Sequence, residues 1–586
     1  MCSLVLAGGR ALKAEAKVTF FDAKKVIFIL VTAFVVILAV IPVFFLLWDS
    51  FKDVQVGNLF DLSLTNFTLK NFRVAFADPR TPAMIGNSLI FAFGAMAVAF
   101  VFGGIIAFLV ERTNTPFRNF IYGLMYIPLV MPSMLKAIAW ILLLSPTIGW
   151  FNKVWFLFGF TQPLFNAYSV PAMFWVEGLS MAPLTFLLLG ASLRTMDPSL
   201  EEAAFTAGAS KPVTLYRVTF RLMTPALAGI ALLQFIRGLE AFEVPLMMGA
   251  GQGLMVFSTN IYMSMREMFP PAYGEAFVSS LALIALSVVG LVLYQRAMSG
   301  AERYATITGK GYRPRLMDLG RWRRVAGAFI ILFLFVAVIL PFLVLLWASF
   351  LPYYQLPSAE ALELFTWKNY RYLLSRPEFL LTLKNTAILG VTVAGGGMLL
   401  ATLISWMVVR LKVKGARLLD ALVFIPYALP GIAIGFSYMI LFLMFPNPIY
   451  GTIWILVLVY LVRFLPMGTR FTHAGMAQIK AELEEAASTS GAGLFTIMRR
   501  ITIPLILPSL IAGALYLLIL SMKVLSMAAV LYTAQSLILP VLLFTLWRDG
   551  SIPLTGALSV LMILVLSLLT ILLRKLTQRR GMVTEA

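Results

Sequence analysis

Two copies of one short stretch, rich in alanine and glutamate, could form a docking surface for another protein. Two adjacent alanines favour a helix and leave a low surface against which a partner can pack closely. A glutamate suits the first turn of such a helix, and a glycine can end it in the left-handed conformation. The alternative is an ordinary charged loop between membrane helices. The copies comprise Glu202, Ala203, Ala204 and Gly208, and then Glu485, Ala486, Ala487 and Gly491.

These copies resemble the "EAA" cytoplasmic loop of the permease subunits of bacterial ATP-binding-cassette (ABC) importers. In both, nine residues separate the glycine from a β-branched residue, Val218 or Ile501. The second copy continues to Pro504, whereas the first has Phe220-Arg221 where the family usually has Leu-Pro. The resemblance implies that each loop forms a short coupling helix that docks on an ATPase subunit.

The composition is that of a helical membrane protein. Hydrophobic residues make up 61% of the 586 residues, charged residues make up 12%, and the mean hydropathy is +0.92. Apolar runs of about 20 residues, the length that crosses a bilayer, recur throughout. The net charge of +20 comes from Lys and Arg in alternate links between these runs, which indicates cytoplasmic loops rather than nucleic-acid binding. The single Cys2 and the single His473 exclude an intrachain disulfide and a multi-histidine metal site.

The sequence is a tandem duplication. Ile127-Pro128 recurs as Ile425-Pro426, and Asn71-Phe72 recurs as Asn369-Tyr370. The offset between the two copies is 298 residues at the prolines (426 − 128) and 283 at the EAA copies (485 − 202). The first half therefore carries 15 extra residues, which we place in the aromatic link 145–169. We predict an all-α polytopic membrane protein with about 12 transmembrane helices, in two tandem six-helix repeats. The resemblance identifies these repeats with type I ABC importer permeases.

The duplication and the charge bias together predict the boundaries and the orientation. Six spans in each half keep both EAA loops on one side of the membrane, and the basic links place that side in the cytoplasm. The predicted parts are a cytoplasmic tail (1–25), a first half (26–295) with its EAA loop at 197–221, a basic cytoplasmic linker (296–324), a second half (325–573) with its EAA loop at 480–504, and a cytoplasmic tail (574–586).

Ionisable residues within the predicted spans are candidates for the translocation path, because a charge inside a membrane is costly. Three of them recur every third residue in the fifth predicted span, 225–248, and would share one side of a helix. Lys523 matches Glu240 in the duplicated frame. The alternative is that these groups pair with each other or extend to the lipid headgroups. The candidates are Arg237, Glu240, Glu243, Lys523, Lys136, Glu177 and Arg463.

Four prolines should kink or break the third and ninth spans, at Pro128, Pro132, Pro426 and Pro430. Both an ordinary kink and a broken helix that lines a cavity are compatible with this pattern.

The resemblance implies a transport subunit that is powered by other proteins. The sequence has no G-x-x-x-x-G-K-[ST] motif, and Gly309-Lys310-Gly311 lacks the spacing of a phosphate loop. We therefore expect no catalytic residue, metal site or cofactor on this chain, and ATP with Mg on two partner ATPase subunits. A periplasmic binding protein would supply the substrate, and alternating access would carry it across the bacterial inner membrane, with both termini cytoplasmic.

The fused pair with two EAA loops resembles the permeases of the ferric-iron importer group. The resemblance extends to residues 239–245 and 270–274, and it implies Fe(III) as the substrate. Permeases for polyamines, phosphonates and other small organic ions share this architecture, so these substrates stay open. A twelve-helix secondary transporter is a more distant alternative. An intramembrane enzyme has no support, because no catalytic constellation is present.

Overall fold

The computed structural model describes residues 25–53, 63, 65–196, 199–299, 316–411, 415–445, 447–480 and 482–578. The predicted N-terminal tail up to residue 24, the central part of the predicted linker and the last eight residues lie outside the described residues. Within them the fold is helical, and the only β pairings are isolated bridges between Lys52 and Phe67 and between Thr113 and Met317. The predicted all-α polytopic architecture is confirmed.

Apolar runs form long helices, and short polar links form short ones. The first half contains α1 (Lys25–Ser50), α2 (Lys70–Ala77), α3 (Thr81–Arg112), α4 (Arg118–Val130), α5 (Ser133–Leu144), α6 (Trp150–Leu157), α7 (Val170–Thr195), α8 (Ser199–Thr206), α9 (Leu215–Glu240), α10 (Glu243–Met248), α11 (Phe257–Arg266) and α12 (Tyr273–Ser299). The second half contains α13 (Trp322–Ser349), α14 (Ala359–Glu363), α15 (Lys368–Ser375), α16 (Pro377–Arg410), α17 (Ala416–Ala428), α18 (Gly431–Met444), α19 (Ile453–Ala477), α20 (Glu482–Thr489), α21 (Phe495–Lys523), α22 (Ser526–Leu531), α23 (Leu539–Arg548) and α24 (Ile552–Gln578).

Ten of the described helices are long and apolar enough to cross a membrane, and two bent pairs bring the number to 12. The bent pairs are α4 with α5 and α17 with α18, which meet at 89° and 103°. Pro128 lies inside α4, and Pro132 precedes α5. The helix continues past Pro128 to Val130 and ends at Met131, and α17 ends before Leu429. Met131 and Leu429 are both extended, because a residue that precedes a proline avoids the α conformation. The prolines therefore break the third and ninth spans rather than kinking them.

The fifth predicted span is also broken, which corrects the expectation that Arg237, Glu240 and Glu243 share one side of a helix. The helix α9 ends at Glu240, Ala241 is extended, and α10 begins at Glu243. The eleventh span breaks at the equivalent place, between α21 and α22. The carbonyl groups freed at the breaks accept hydroxyl hydrogen bonds, from Ser258 to Ala241 at 2.7 Å and from Tyr460 to Val524 at 2.6 Å. Tertiary partners thus stabilise breaks that no proline spacing indicated.

The two halves interlock. The first span of the first half, α1, packs on α18 of the second half, and the hydroxyl of Tyr438 donates to the carbonyl of Leu38. In the same way α13, the first span of the second half, packs on α5 of the first half. The aromatic link adds a further contact, because the Trp150 indole donates to the Tyr354 hydroxyl at 3.1 Å. The first span of each half therefore packs against the other half.

The repeated asparagines have equivalent structural roles in the two halves. The Asn71 amide donates to the carbonyls of Ser50 and Lys52 at 3.0 and 2.7 Å. The Asn369 amide donates to the carbonyls of Ser349 and Leu351 at 2.8 and 2.7 Å. Each asparagine binds the carbonyls at the end of its half's first span. The duplication read from the sequence is thus a duplication of side-chain contacts as well.

Candidate functional site: two coupling loops and a charge cluster between the halves

The two EAA copies form short helices that lie between long ones. The helix α8 follows the fourth span, and α20 follows the tenth. Neither α8 nor α20 has a buried residue. The glutamates Glu202 and Glu485 are exposed, as are Ala203 and Ala486. The surface that the sequence predicts for docking is therefore open in this chain.

Glycine ends both helices in the same way. The φ angles are +84° at Gly208 and +86° at Gly491, in the left-handed region that glycine adopts without strain. The Ala209 amide donates to the carbonyl of Ala204, and the Ala492 amide donates to that of Ala487, both at 3.0 Å. These bonds across five residues complete the glycine-ended helix cap known as the Schellman motif. The predicted left-handed stop is confirmed in both copies.

We expect Gly491→Ala to loosen the end of α20. A Cβ would meet no atom within 4 Å there, so the cost comes from the backbone conformation alone, about 1–2 kcal/mol. Amide hydrogen exchange at Ala492 should become about tenfold faster. The matched control is Gly493→Ala, which also has free space but no positive φ, and it should leave that rate unchanged. An unchanged rate in Gly491→Ala would contradict the assignment of the cap.

A carboxylate at the start of each loop anchors it to the end of a long helix. Arg112, the last residue of α3, pairs with Glu201 at 3.6 Å, and the Thr219 hydroxyl donates to the same carboxylate at 2.6 Å. In the second half Arg410 pairs with Glu484 at 3.5 Å, and the Thr502 hydroxyl donates to it at 2.9 Å. The arginines are related by the offset of 298 residues, and the glutamates and threonines are related by the offset of 283. Each coupling helix is therefore tied through its first turn to the second span of its own half.

Exposed apolar side chains lie on both coupling helices and just after them. Phe205 in α8 is 41% exposed and Tyr216 after it is 77% exposed. Leu483 in α20 is 51% exposed and Phe495 after it is 76% exposed. Large exposed apolar groups around a short helix are typical of a protein contact surface. The two surfaces differ in sequence, since Phe205 corresponds to Ser488 and Tyr216 to Arg499.

The other predicted site residues gather between the halves, at the broken spans. We call Lys136, Glu177, Arg237, Glu240, Glu243, Arg463 and Lys523 the charge cluster. The Lys136 ammonium donates to the Pro128 carbonyl at 2.7 Å. Lys523 of the second half donates to the Leu129 carbonyl of the first half at 2.9 Å. Proline leaves such carbonyls without a helical partner, so these cations stabilise the break between α4 and α5.

Arg463 has the same role at the other broken span. Its guanidinium donates to the carbonyls of Pro426, Tyr427 (2.8 Å) and Leu429, between α17 and α18. Its other nitrogen pairs with Glu240 of the first half at 3.2 Å. The guanidinium thus joins the second half's broken span to the first half's fifth span.

The duplication explains why the two breaks use different residues. Leu129 corresponds to Tyr427, and Lys523 corresponds to Glu240. Lys523 can donate to a carbonyl, but an ionised Glu240 can only accept. Arg463 therefore lies between Glu240 and the Tyr427 carbonyl as an adaptor that donates to both.

The remaining members of the charge cluster extend it across the interface. The Glu243 carboxylate of the first half accepts a hydrogen bond from the Leu525 amide of the second half at 3.2 Å. Glu177 interacts electrostatically with Glu243, Lys136 and Lys523. Arg237 interacts electrostatically with charges of both halves, including Lys136 and Lys523. All seven predicted residues thus belong to one region.

The sequence reasoning missed the anchoring residues of the coupling loops: Arg112, Arg410, Glu201, Glu484, Thr219 and Thr502. A signal was present, because an arginine recurs at the end of each second span with the offset of 298, and the glutamate and threonine recur with the offset of 283. Recurrence at both offsets would have singled these residues out.

Residues 99–299 and 395–581 each match the family described as the binding-protein-dependent transport system inner membrane component. The two matches cover well over half of the chain, one in each half. The chain belongs to this family, and it is an inner-membrane permease of the ABC importer class with two fused type I halves. Family membership excludes the secondary transporter, and permease subunits of this class are not enzymes.

The relatives of this chain include permeases from several bacteria. It is 28% identical over 500 residues to the ferric transport system permease protein FbpB of Actinobacillus pleuropneumoniae, covering 82% of this chain and 69% of that protein. It is 26% identical over 472 residues to the putative ferric transport system permease protein FbpB 1 of Haemophilus influenzae, covering 77% of this chain and 71% of that protein. It is 28% identical over 169 residues to the putative 2-aminoethylphosphonate transport system permease protein PhnV of Salmonella paratyphi A, covering 29% of this chain and 64% of that protein.

Proposed function

We propose that this chain forms the translocation path of a binding-protein-dependent ABC importer for Fe(III). Two partner ATPase subunits, carrying ATP and Mg, dock on α8 and α20 and drive alternating access. A periplasmic binding protein delivers the cargo to the opposite face, and both termini lie in the cytoplasm. The chain itself binds no cofactor and has no catalytic residue.

The observation that carries the proposal is the pair of coupling helices, which are anchored by equivalent residues and contain no buried residue. They follow the fourth and tenth spans, six spans apart, so both lie on one side of the membrane. Each ends at a left-handed glycine, and each is tied by an Arg–Glu pair to the second span of its half. A partner that moves the helices therefore moves the spans.

The share of this chain that aligns with each relative favours iron over the other cargoes. The ferric permeases align with this chain over 82% and 77% of its length, across both fused halves. The aminoethylphosphonate permease aligns over 169 residues, 29% of this chain, which is less than the length of one half. A phosphonate is the second candidate on that partial match, and a polyamine has no relative among these to support it.

The interlocked halves support alternating access between two states. Movement of the coupling helices reaches α3 and α16 through Arg112 and Arg410. The broken spans lie where the halves meet, and Lys523 and Arg463 keep their free carbonyls hydrogen-bonded. These cations stabilise irregular backbone within the membrane, which is tolerated where it is buried in protein or lines a cavity. ATP binding by the partners biases the equilibrium between the two states.

Charge reversal on the coupling helices tests the docking. We expect the co-expressed ATPase subunit to co-purify with this chain at two copies per chain, and Glu202→Arg with Glu485→Arg to remove both. Each single variant should remove one copy. The matched control is Glu360→Arg, an exposed charge reversal on α14, on the opposite side of the proposed topology, which should retain both copies. Retention of two copies in the double variant would contradict the proposed docking site.

A further inference from the structure

Arg237 differs from the other cations of the charge cluster in the hydrogen bonds of its side chain. Lys136, Lys523 and Arg463 each donate to at least one backbone carbonyl. Among the residues that the structure describes, none forms a hydrogen bond or an ion pair with Arg237, and its side chain is exposed. An unpaired guanidinium within a membrane span is costly, so it is retained for a function.

The neighbours of Arg237 place it at the interface between the halves rather than in lipid. Ile236 packs against Gly290 of α12, and Gly238 packs against the backbone of Ala92 in α3, so both flanking residues face their own half. Arg237 itself interacts electrostatically with Glu177 of the first half and with Lys523 and Tyr516 of the second. Arg237 therefore lies close to residues of both halves, and its side chain is exposed.

The charge cluster around Arg237 carries an excess of positive charge. It contains four cations and three carboxylates. Two of the carboxylates are already engaged, because Glu240 pairs with Arg463 and Glu243 accepts the Leu525 amide. The position equivalent to Arg237 in the second half is Leu520, so the second half has no arginine at this position. The third carboxylate, Glu177, is buried, whereas Arg237 is exposed, so the accessible group without a hydrogen bond to the described residues is a cation.

An available guanidinium selects oxyanions. Its planar array of donors matches the two oxygens of a carboxylate or a phosphate, and it repels a metal cation. We propose that Arg237 binds the cargo through an oxyanion, so that iron crosses as an anionic complex of Fe(III) with carboxylate or phosphate ligands rather than as a bare trivalent cation. This inference rests on the proposed function and specifies the chemical form of its cargo.

A double-label transport experiment tests the proposal. The complete importer is reconstituted in proteoliposomes with its ATPase subunits. Its binding protein is loaded with radioactive Fe(III) together with either labelled citrate or labelled phosphate, so that the two arms separate the two ligand sources. We expect one of the two anions to enter the vesicles together with iron in constant proportion. Iron that enters without either anion would overturn the proposal and leave iron import intact. Failure of iron to enter at all would instead overturn the proposed function.

Variants at position 237 assign the effect to the guanidinium. We expect Arg237→Gln to lower the uptake of both labels about tenfold, through loss of one charge-assisted hydrogen bond, and Arg237→Lys to keep part of it. The thermal unfolding midpoint of Arg237→Gln should equal that of the wild type, because the described part of the chain forms no hydrogen bond with this side chain. The control Arg323→Gln removes an exposed arginine at the start of α13 and should transport normally. Wild-type uptake by Arg237→Gln would overturn the proposal.

Discussion

Replacing Arg463 with glutamine should abolish transport and lower the stability of the protein. The guanidinium holds the carbonyls of Pro426, Tyr427 and Leu429, and it pairs with Glu240 across the interface. Removing it leaves a carboxylate without its cation and three carbonyls without their charged donor, a loss of about 3–5 kcal/mol. ATP-driven uptake in proteoliposomes and the unfolding midpoint in detergent measure the two effects.

A second substitution should restore part of the function. Lys523 at the equivalent position of the other half reaches its carbonyl directly, so Glu240→Lys should supply the Tyr427 carbonyl with a donor once Arg463 is gone. We expect Glu240→Lys with Arg463→Gln to be more stable and more active than Arg463→Gln alone. The control is Arg470→Gln on the same helix, whose exposed guanidinium lies over the Phe424 ring and should matter little. A double variant as inactive as Arg463→Gln would contradict the adaptor role.

Replacing both anchoring glutamates, Glu201 and Glu484, with alanine should uncouple ATP hydrolysis from transport. Arg112 is 5% exposed and Arg410 is 12% exposed, so each would remain almost buried without a carboxylate. The coupling helices would keep their exposed docking residues but lose their tie to α3 and α16. We expect the loss of each anchor to lower uptake at least about tenfold. The double variant should therefore lower uptake about 100-fold while the ATPase subunits still bind.

Two further variants separate the anchor from a general loss of acidic residues. Glu484→Gln keeps an acceptor for the Thr502 hydroxyl but removes the charge that pairs with Arg410, so its uptake should be intermediate. Glu482→Ala removes an exposed glutamate from the same turn of α20 and should transport normally. If the double alanine variant kept normal coupling, force would have to reach the spans by another route.

The sequence predicted the features that depend on local chemistry. A residue that precedes a proline avoids the α conformation, so Pro132 and Pro430 marked the two broken spans. Glycine at 208 and 491 marked the left-handed ends of the coupling helices. The recurrence of these motifs at two offsets was enough to identify the duplication. The same local reasoning produced the charged residues as a set, although not their partners.

Features that depend on tertiary contacts could not be predicted in this way. The apolar run continues past Glu240 and Lys523, and the breaks there are stabilised by Ser258 and Tyr460, which lie elsewhere in the chain. The pairing of Glu240 with Arg463 joins residues of opposite halves, so no spacing within one helix indicates it. The unpaired state of Arg237 likewise emerged only when the partners of its neighbours were known.

Stimulation of ATP hydrolysis by the loaded binding protein would show whether this chain couples the partner ATPases to Fe(III) import. The complex of this chain, its ATPase subunits and its binding protein would be assayed with Fe(III), with 2-aminoethylphosphonate and with a polyamine. The account predicts stimulation by Fe(III) alone, and its loss in the Glu202→Arg, Glu485→Arg double variant. Stimulation by one of the other compounds instead of Fe(III) would contradict the iron assignment, and stimulation that survives the double variant would contradict coupling through the two loops.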